Sequence, residues 1–331
     1  MKVAMYYSNN DVRIEEQPVP ELQENEVLMK IKASGLCGTD VVEWYRRDKV
    51  PLVLGHEVSG IVEKTAPGIK EYKAGDRIAV SHHVPCLKCD YCKSGHESVC
   101  DTLRKTKFYP GGFAEYLRIP AINIEKRGVY KLPDKVSFEE ATFIEPLACC
   151  IRGQSLARIG KGKSVLILGA GLSGLLHIQL ARLAGASKIT ATDVVDYRLS
   201  AAKKFGADET IKPNKLTGKF DLVIICTGAD KAYQQAFDAV QRGGTILFFA
   251  ATRENYKIEL DVNKVFWKNE VTLTSSYAAS PDEHRKALEL IADGKINVKD
   301  MITHRLLLEK AAEGFKLVAE ARESLKVIIE P

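Results

Sequence analysis

Ser164-Val165-Leu166-Ile167-Leu168 is an apolar run that ends on Gly169-Ala170-Gly171-Leu172-Ser173-Gly174, and Leu172 to Ala184 carries apolar side chains at helical spacing. A G-x-G-x-x-G that closes a strand and opens a helix, with Asp193 ending the next strand 19 positions after Gly174, is the context of a dinucleotide-binding βαβ unit. Gly169 permits the tight turn, Gly171 lets backbone approach the pyrophosphate, and Gly174 lets helix and strand pack closely. The helix N-terminus at Leu172 and Ser173 then faces the phosphates. Asp193 would accept hydrogen bonds from the adenosine ribose hydroxyls and repel a 2′-phosphate, which predicts NAD over NADP. Arg198 either stacks near the adenine or is a solvated helix charge. A glycine-rich turn without a ligand is the competing reading, and the strand-helix context weighs against it.

The alternation continues beyond this motif. Strands are predicted at Lys188 to Asp193, Phe220 to Cys226 and Thr245 to Ala250, with helices at Val195 to Phe205 and Lys231 to Val240. Continuous apolar strands separated by helices indicate a parallel sheet covered on both faces. The fold class is therefore α/β, with a Rossmann doubly wound domain over residues 149–278. Residues 1–148 differ: short β-type runs at Val27 to Lys32, Val58 to Thr65 and Arg77 to Val80 are broken by Gly, Pro and Asn, as in a mostly β domain. Beyond the alternating region, Ser280 caps a predicted helix from Pro281 to Ala292, Leu306 to Val318 is amphipathic, and Leu325 to Ile329 reads as a last strand. This tail, 279–331, is assigned back to the first domain, because the doubly wound sheet already has its strands.

Two groups of chemistry-bearing residues lie in residues 1–148. Cys86-x2-Cys89-x2-Cys92-x7-Cys100 occupies a Gly-, Lys- and Ser-rich segment with little core of its own, about residues 82–105. Four thiolates satisfy tetrahedral zinc and leave no open position, so this ion is structural. An iron-sulfur cluster is the alternative; the last gap of seven and Asp101 in place of proline speak against it. Separately, Cys37, His56 and Glu57 offer a thiolate, an imidazole and a carboxylate, the donor types of a catalytic zinc that keeps one position open. Each alone is more often a packing residue; the joint pattern raises the metal reading.

Forty-eight basic residues against 43 acidic ones are dispersed, with no basic arm, and Asp90, Glu97 and Asp101 interrupt the lysines of the cysteine lobe, so nucleic-acid binding is not expected. The uncharged stretch from Ser164 to Ala181 approaches membrane-span length, but its glycines, His177 and Gln179 fit a strand-turn-helix better. The N-terminus has no apolar export region, so the expectation is a cytoplasmic protein without membrane association.

Cys37-Gly38-Thr39-Asp40, Gly55-His56-Glu57, Gly75-Asp76-Arg77, the four-cysteine lobe, Gly111-Gly112-Phe113-Ala114-Glu115-Tyr116, Glu145-Pro146-Leu147-Ala148 and the glycine motif occur in an order and approximate spacing that resembles the zinc-dependent medium-chain dehydrogenases of the alcohol dehydrogenase superfamily. The likeness runs nearly end to end, including Thr303-His304-Arg305, and is nearest the branch of sorbitol (polyol), sugar-alcohol phosphate and L-threonine dehydrogenases. The resemblance implies a GroES-like catalytic domain, two zinc ions and NAD, and a homo-oligomer, dimer or tetramer. It implies that Cys37 and His56 ligate the catalytic zinc, that Glu57 does so directly or through water, and that Glu145 approaches the metal and exchanges with water. It implies that Thr39 passes the substrate proton toward the nicotinamide ribose.

Two positions depart from that pattern: Val42 stands where a relay histidine is common, and Ser276 near where polyol dehydrogenases carry a substrate arginine. The implied activity is oxidation of a secondary hydroxyl of a small-molecule polyol, sugar derivative or hydroxy amino acid. A reductase working on ketones or aldehydes, and a non-catalytic zinc- and NAD-binding redox sensor, are the alternatives. Trp44, Tyr45 and Phe113 are candidates for the substrate-pocket wall. His82, His83, His96, His177, His284 and His304, with Cys149, Cys150 and Cys226, are read as structural or exposed.

Overall fold

The computed structural model describes residues 1–331, the side chain of Lys264 excepted. The chain forms two compact units, Met1–Ala148 with Ala278–Pro331, and Cys149–Tyr277.

The first unit is mainly β. Its larger sheet runs, by neighbour, Ile302–Leu307, Lys326–Glu330, Val27–Gly35, Glu57–Thr65, Arg77–Ser81 and Val129–Lys131, with Tyr116–Ile119 also paired to Val27–Gly35. A second sheet joins Asp11–Glu16, Lys2–Ser8 and Leu52–Val53. Strand Val27–Gly35 is central because Val27, Met29 and Ile31 alternate onto the core with Leu117, Ile119, Val327 and Ile329. The last strand reaches it directly: Ile328 pairs with Gly35 and Ile329 with Ser34, antiparallel. The amphipathic stretch read from Leu306 to Val318 is divided in the structure. Leu306 and Leu307 complete a strand, and the helix is Ala311–Glu320, which lays Phe315 into the same core.

The second unit carries six parallel strands. In spatial order they are Glu209–Ile211, Lys188–Thr192, Ser164–Leu168, Phe220–Ile225, Val240–Phe248 and Thr272–Ser275, that is third, second, first, fourth, fifth and sixth in the chain. The order reverses at the first strand, between its neighbours Lys188–Thr192 and Phe220–Ile225, which is where a doubly wound sheet opens a crevice at its carboxyl edge. The edge strand Thr272–Ser275 is absent from the sequence reading because it is largely exposed and so has no continuous apolar run.

Phe113 is not a pocket wall. It is fully buried, and its ring meets Phe315 edge-on at 5.5 Å between centroids. Its phenyl group belongs to the core of the first unit, whereas Trp44 and Tyr45 are exposed. Phe113→Ala should therefore lower unfolding free energy by about 3–5 kcal/mol, measured by urea titration. A change confined to substrate KM at unaltered stability would contradict that placement.

Candidate active site and metal centres

Cys37 caps a short 3-10 helix, Gly38–Val41, at the end of strand Val27–Gly35, and its sulfur accepts from Thr39 N at 3.5 Å and Thr39 Oγ1 at 3.3 Å. Asp40, fully buried, closes the turn by accepting from Cys37 N at 3.1 Å. Its other oxygen stands 3.4 Å from His56 Nδ1 and 3.6 Å from an Arg46 nitrogen. A carboxylate on Nδ1 leaves Nε2 as the outward donor atom, the usual orientation of a metal-ligating histidine. Burial disfavours the imidazolium, but Asp40 and Cys37 together raise the His56 pKa well above the ordinary histidine range. His56 also lies 4.9 Å from the His82 ring, which burial holds neutral. Donor atoms of Cys37, His56 and Glu57 all fall within 4.8 Å of one another.

Glu57 is held from behind by a residue the sequence reading left out. Gly35 pairs with Glu57 on one side and with Ile328 on the other. Lys326, two residues before Ile328, shares its face of the sheet. A Cβ on Gly35 would collide with both the Glu57 carboxylate and the end of the Lys326 side chain, so the glycine makes the room in which they meet. Lys326 Nζ donates to Glu57 Oε2, with both side chains fully buried. Burial raises the Glu57 pKa, against the pull of Lys326 and His56. Glu57 Oε1, buried, has no hydrogen-bond partner, which is the condition of an atom meant for a metal. Glu145, in helix Ile144–Leu156, lies outside the Cys37, His56 and Glu57 group, yet it borders a small cavity together with Glu57. The one signal for Lys326 in the sequence is a lysine heading an apolar strand.

The sulfur atoms of Cys86, Cys89, Cys92 and Cys100 also lie within 4.8 Å of one another. Cys86 and Cys92 are 3.9 Å apart and Cys89 and Cys92 3.5 Å. Zinc-sulfur bonds of 2.3 Å arranged tetrahedrally require sulfur separations of about 3.8 Å. The four are free thiols in the structure, far beyond bonding distance for a disulfide. Burial works against the Cys100 thiolate, but amides at Cys86, Leu103 and Thr102 outweigh it and bring its pKa down to about 6. Burial and the neighbouring sulfurs push Cys92 up to about 12. Four sulfurs converging at these separations fit a cation that takes every sulfur as thiolate.

In the second unit, Gly169 turns with φ +96°, and Gly171 caps helix Leu172–Leu183, whose first turn includes Ser173 and Gly174. A Cβ on Gly174 would strike the Gly169 carbonyl oxygen, so close strand-helix packing requires glycine there. At Gly171 only the Arg198 guanidinium comes near, at 3.6 Å, and the backbone is open to a ligand. Asp193 is buried and accepts from Ala170 N and Val195 N, both at 2.9 Å. A carboxylate has about four lone-pair sites, so two remain for ribose hydroxyls. Cys150 is buried with its thiol toward Ser173 O, and burial pushes the Cys226 thiol up, which makes both inert packing residues.

Residues 23–134 match the family model of the alcohol dehydrogenase GroES-like domain, and residues 174–293 match that of the zinc-binding dehydrogenases. Mouse sorbitol dehydrogenase is 33% identical over 341 residues, covering 97% of this chain and 93% of its own. D-xylulose reductase A of Aspergillus oryzae is 30% identical over 342 residues, covering 96% and 93%. This chain belongs to the zinc-dependent alcohol dehydrogenase superfamily. As a member of it, the chain is a zinc- and NAD(P)-dependent oxidoreductase with a GroES-like domain and a Rossmann sheet. A protein of Sinorhizobium meliloti 1021 described as a zinc-binding dehydrogenase, solved bound to NADP, superposes with a TM-score of 0.87 at 28% identity, covering 100% of this chain and 99% of that one. No helix of the dehydrogenase is long and apolar enough to cross a membrane among the described residues.

Metal analysis of the purified dehydrogenase should find about two zinc per chain, falling to about one in both Cys37→Ser and Cys100→Ser. Only the second substitution should lower the thermal midpoint appreciably, because only the cysteine lobe depends on its ion for shape. Lys326→Met should be costly in a different way, since it leaves the Glu57 charge buried and unpaired. A loss of about 3–5 kcal/mol in unfolding free energy is expected. Near-neutral behaviour of that variant in a denaturant titration would mean that Glu57 is not charged in the folded protein.

Proposed function

We propose that this dehydrogenase oxidises a secondary hydroxyl of a polyol, sugar derivative or hydroxy amino acid to the ketone, passing hydride to NAD. The observation that carries the reading is the convergence of Cys37, His56 and Glu57 donor atoms within 4.8 Å, with Lys326 behind Glu57. Cys37, His56 and Glu57 would hold the catalytic zinc, with Glu145 as a carboxylate that exchanges with water at the same site. Cys86, Cys89, Cys92 and Cys100 would hold the structural one. The named activities of the mouse and Aspergillus relatives, a sorbitol dehydrogenase and a D-xylulose reductase, support a polyhydroxy substrate.

Bound zinc supplies a Lewis acid that stabilises a substrate alkoxide near neutral pH. The chain's own groups set how strongly. The Cys37 thiolate and Glu57 carboxylate contribute two negative charges, and Lys326 draws on the far oxygen of Glu57. A metal held there would be more electrophilic than the two anions alone would make it. Asp40 fixes the His56 tautomer, and the amide and hydroxyl of Thr39 stabilise the Cys37 thiolate. The Thr39 hydroxyl, exposed at the end of strand Val27–Gly35, is the proposed first acceptor of the substrate proton. Val42 has no titratable group, so position 42 does not supply the end of a proton relay from Thr39.

On the nucleotide side, the Leu172–Leu183 helix N-terminus and the open backbone at Gly171 would receive the pyrophosphate, with Leu172, Ser173 and Gly174 in its first turn and Arg198 beside it. A 2′-phosphate would meet the buried Asp193 carboxylate, which accepts from Ala170 N and Val195 N and whose charge also acts on Arg198. NAD is therefore the proposed cofactor, although the Sinorhizobium protein was solved with NADP. A screen of secondary alcohols and polyols, followed by nicotinamide absorbance with NAD and separately with NADP, tests both statements. NAD should be preferred by at least about tenfold in kcat/KM, and Asp193→Ser should narrow the gap through a rise in KM for NAD. Preference for NADP in the wild-type protein would overturn the assignment of Asp193, and no turnover on any hydroxy compound would overturn the function.

A further inference from the structure

Helix Pro281–Ala292 brings His284 into the β unit behind the proposed zinc site. The helix starts on a reciprocal cap, in which Ser280 Oγ accepts from Glu283 N and Glu283 Oε2 accepts from Ser280 N. The same cap presents the Ser280 carbonyl to His284, whose Nδ1 lies 2.8 Å from it. A carbonyl only accepts, so the proton is on Nδ1 and the neutral ring offers a lone pair at Nε2. Burial keeps the imidazole neutral by lowering its pKa. That Nε2 is buried and has no partner.

Tyr130, in strand Val129–Lys131, stacks on His284 with the ring planes 2° apart and centroids at 5.6 Å. Its hydroxyl is also buried and without a partner. The two side chains are 95% and 97% buried, so neither polar atom reaches solvent. Both residues border one internal cavity of about 10 Å³, shared with Glu57, Glu145 and Thr142. Thr142 is already satisfied by Glu139 O, and Glu57 is engaged by Lys326 on one oxygen and assigned to the metal on the other. The charges of Glu145 and Glu283 both act on His284, and of the two Glu145 borders the cavity.

One unpaired donor, one unpaired acceptor and a carboxylate around a space of this size fit a single molecule. A water needs roughly 10–15 Å³ and two to four polar partners. We propose that the cavity seats one ordered water that accepts from the Tyr130 hydroxyl and donates to His284 Nε2 and to the Glu145 carboxylate, making Tyr130 and His284 positioning residues for that glutamate. The inference rests on the reading of Glu145 as a carboxylate of the zinc site. Every group then finds its complement: the water's two protons go to two acceptors, and its oxygen takes the phenol proton. Leaving the two orphaned atoms without a partner would carry the desolvation penalty of each with nothing to offset it. Anchoring of this kind limits how far Glu145 swings and so governs how readily the metal is exchanged.

The test uses the zinc-loaded enzyme. A high-resolution crystal structure should show one density peak within hydrogen-bond distance of Tyr130 Oη, His284 Nε2 and a Glu145 oxygen. Tyr130→Phe and His284→Leu should each accelerate release of the more labile zinc to a chromogenic chelator by about 10- to 100-fold. The cysteine-lobe zinc should leave at its wild-type rate, and His284→Gln, which restores an acceptor, should recover most of the retention. Wild-type release from both variants, a fall in thermal midpoint with no change in zinc release, or a dry cavity would overturn the proposal. Absence of any labile zinc in the wild-type protein would instead count against the function proposed above, and the density in the cavity would still decide the water.

Discussion

A carboxylate buried between a lysine and a pair of metal donors organises the first unit. Glu57 begins a strand next to Gly35, Lys326 begins the last strand two residues from Gly35's other neighbour, and neither charge is tolerable without the other. The pair obliges the C-terminal strand to return some 270 residues later to the same sheet. It also commits Glu57 to one orientation, with Oε2 on the ammonium and Oε1 buried without a hydrogen-bond partner. A buried ion pair of this kind adds little net stability against an apolar alternative. What it does here is fix the charge and direction of a donor.

The same economy of backing groups recurs around the site. Asp40 closes the turn after Cys37 and faces His56, so a single carboxylate sets the geometry of two donors. The cysteine lobe follows the other strategy. Its segment is short of apolar side chains, and its four sulfurs converge with backbone amides already directed at them. One centre is thus shaped by the sheet behind it, and the other shapes the loop around it.

Much of this was legible in the chain. The apolar strand, the glycine motif and the acidic residue at the end of the next strand have local spacing, and the structure places Ser164–Leu168, Leu172–Leu183 and Lys188–Thr192 accordingly. The edge strand Thr272–Ser275 escaped because an exposed edge does not need an apolar run. Phe113 departs from its expected place in a pocket wall because an aromatic beside two glycines looks the same in sequence whether it faces a ligand or Phe315.

The sequence by itself determined the chemical types: which residues carry metal-donor atoms in a suggestive pattern, which glycine-rich turn joins a strand to a helix, and that both belong to one chain. Those signals are local, since ligand spacing and strand-turn-helix order are properties of neighbouring residues. Only the tertiary structure decided who stands behind the ligands. Lys326 reaches Glu57 across 269 positions, and Tyr130 meets His284 across more than 150. Such partners are set by sheet register and helix packing, so a lysine or histidine that looks unremarkable in the sequence becomes specific only when burial removes water as its alternative partner.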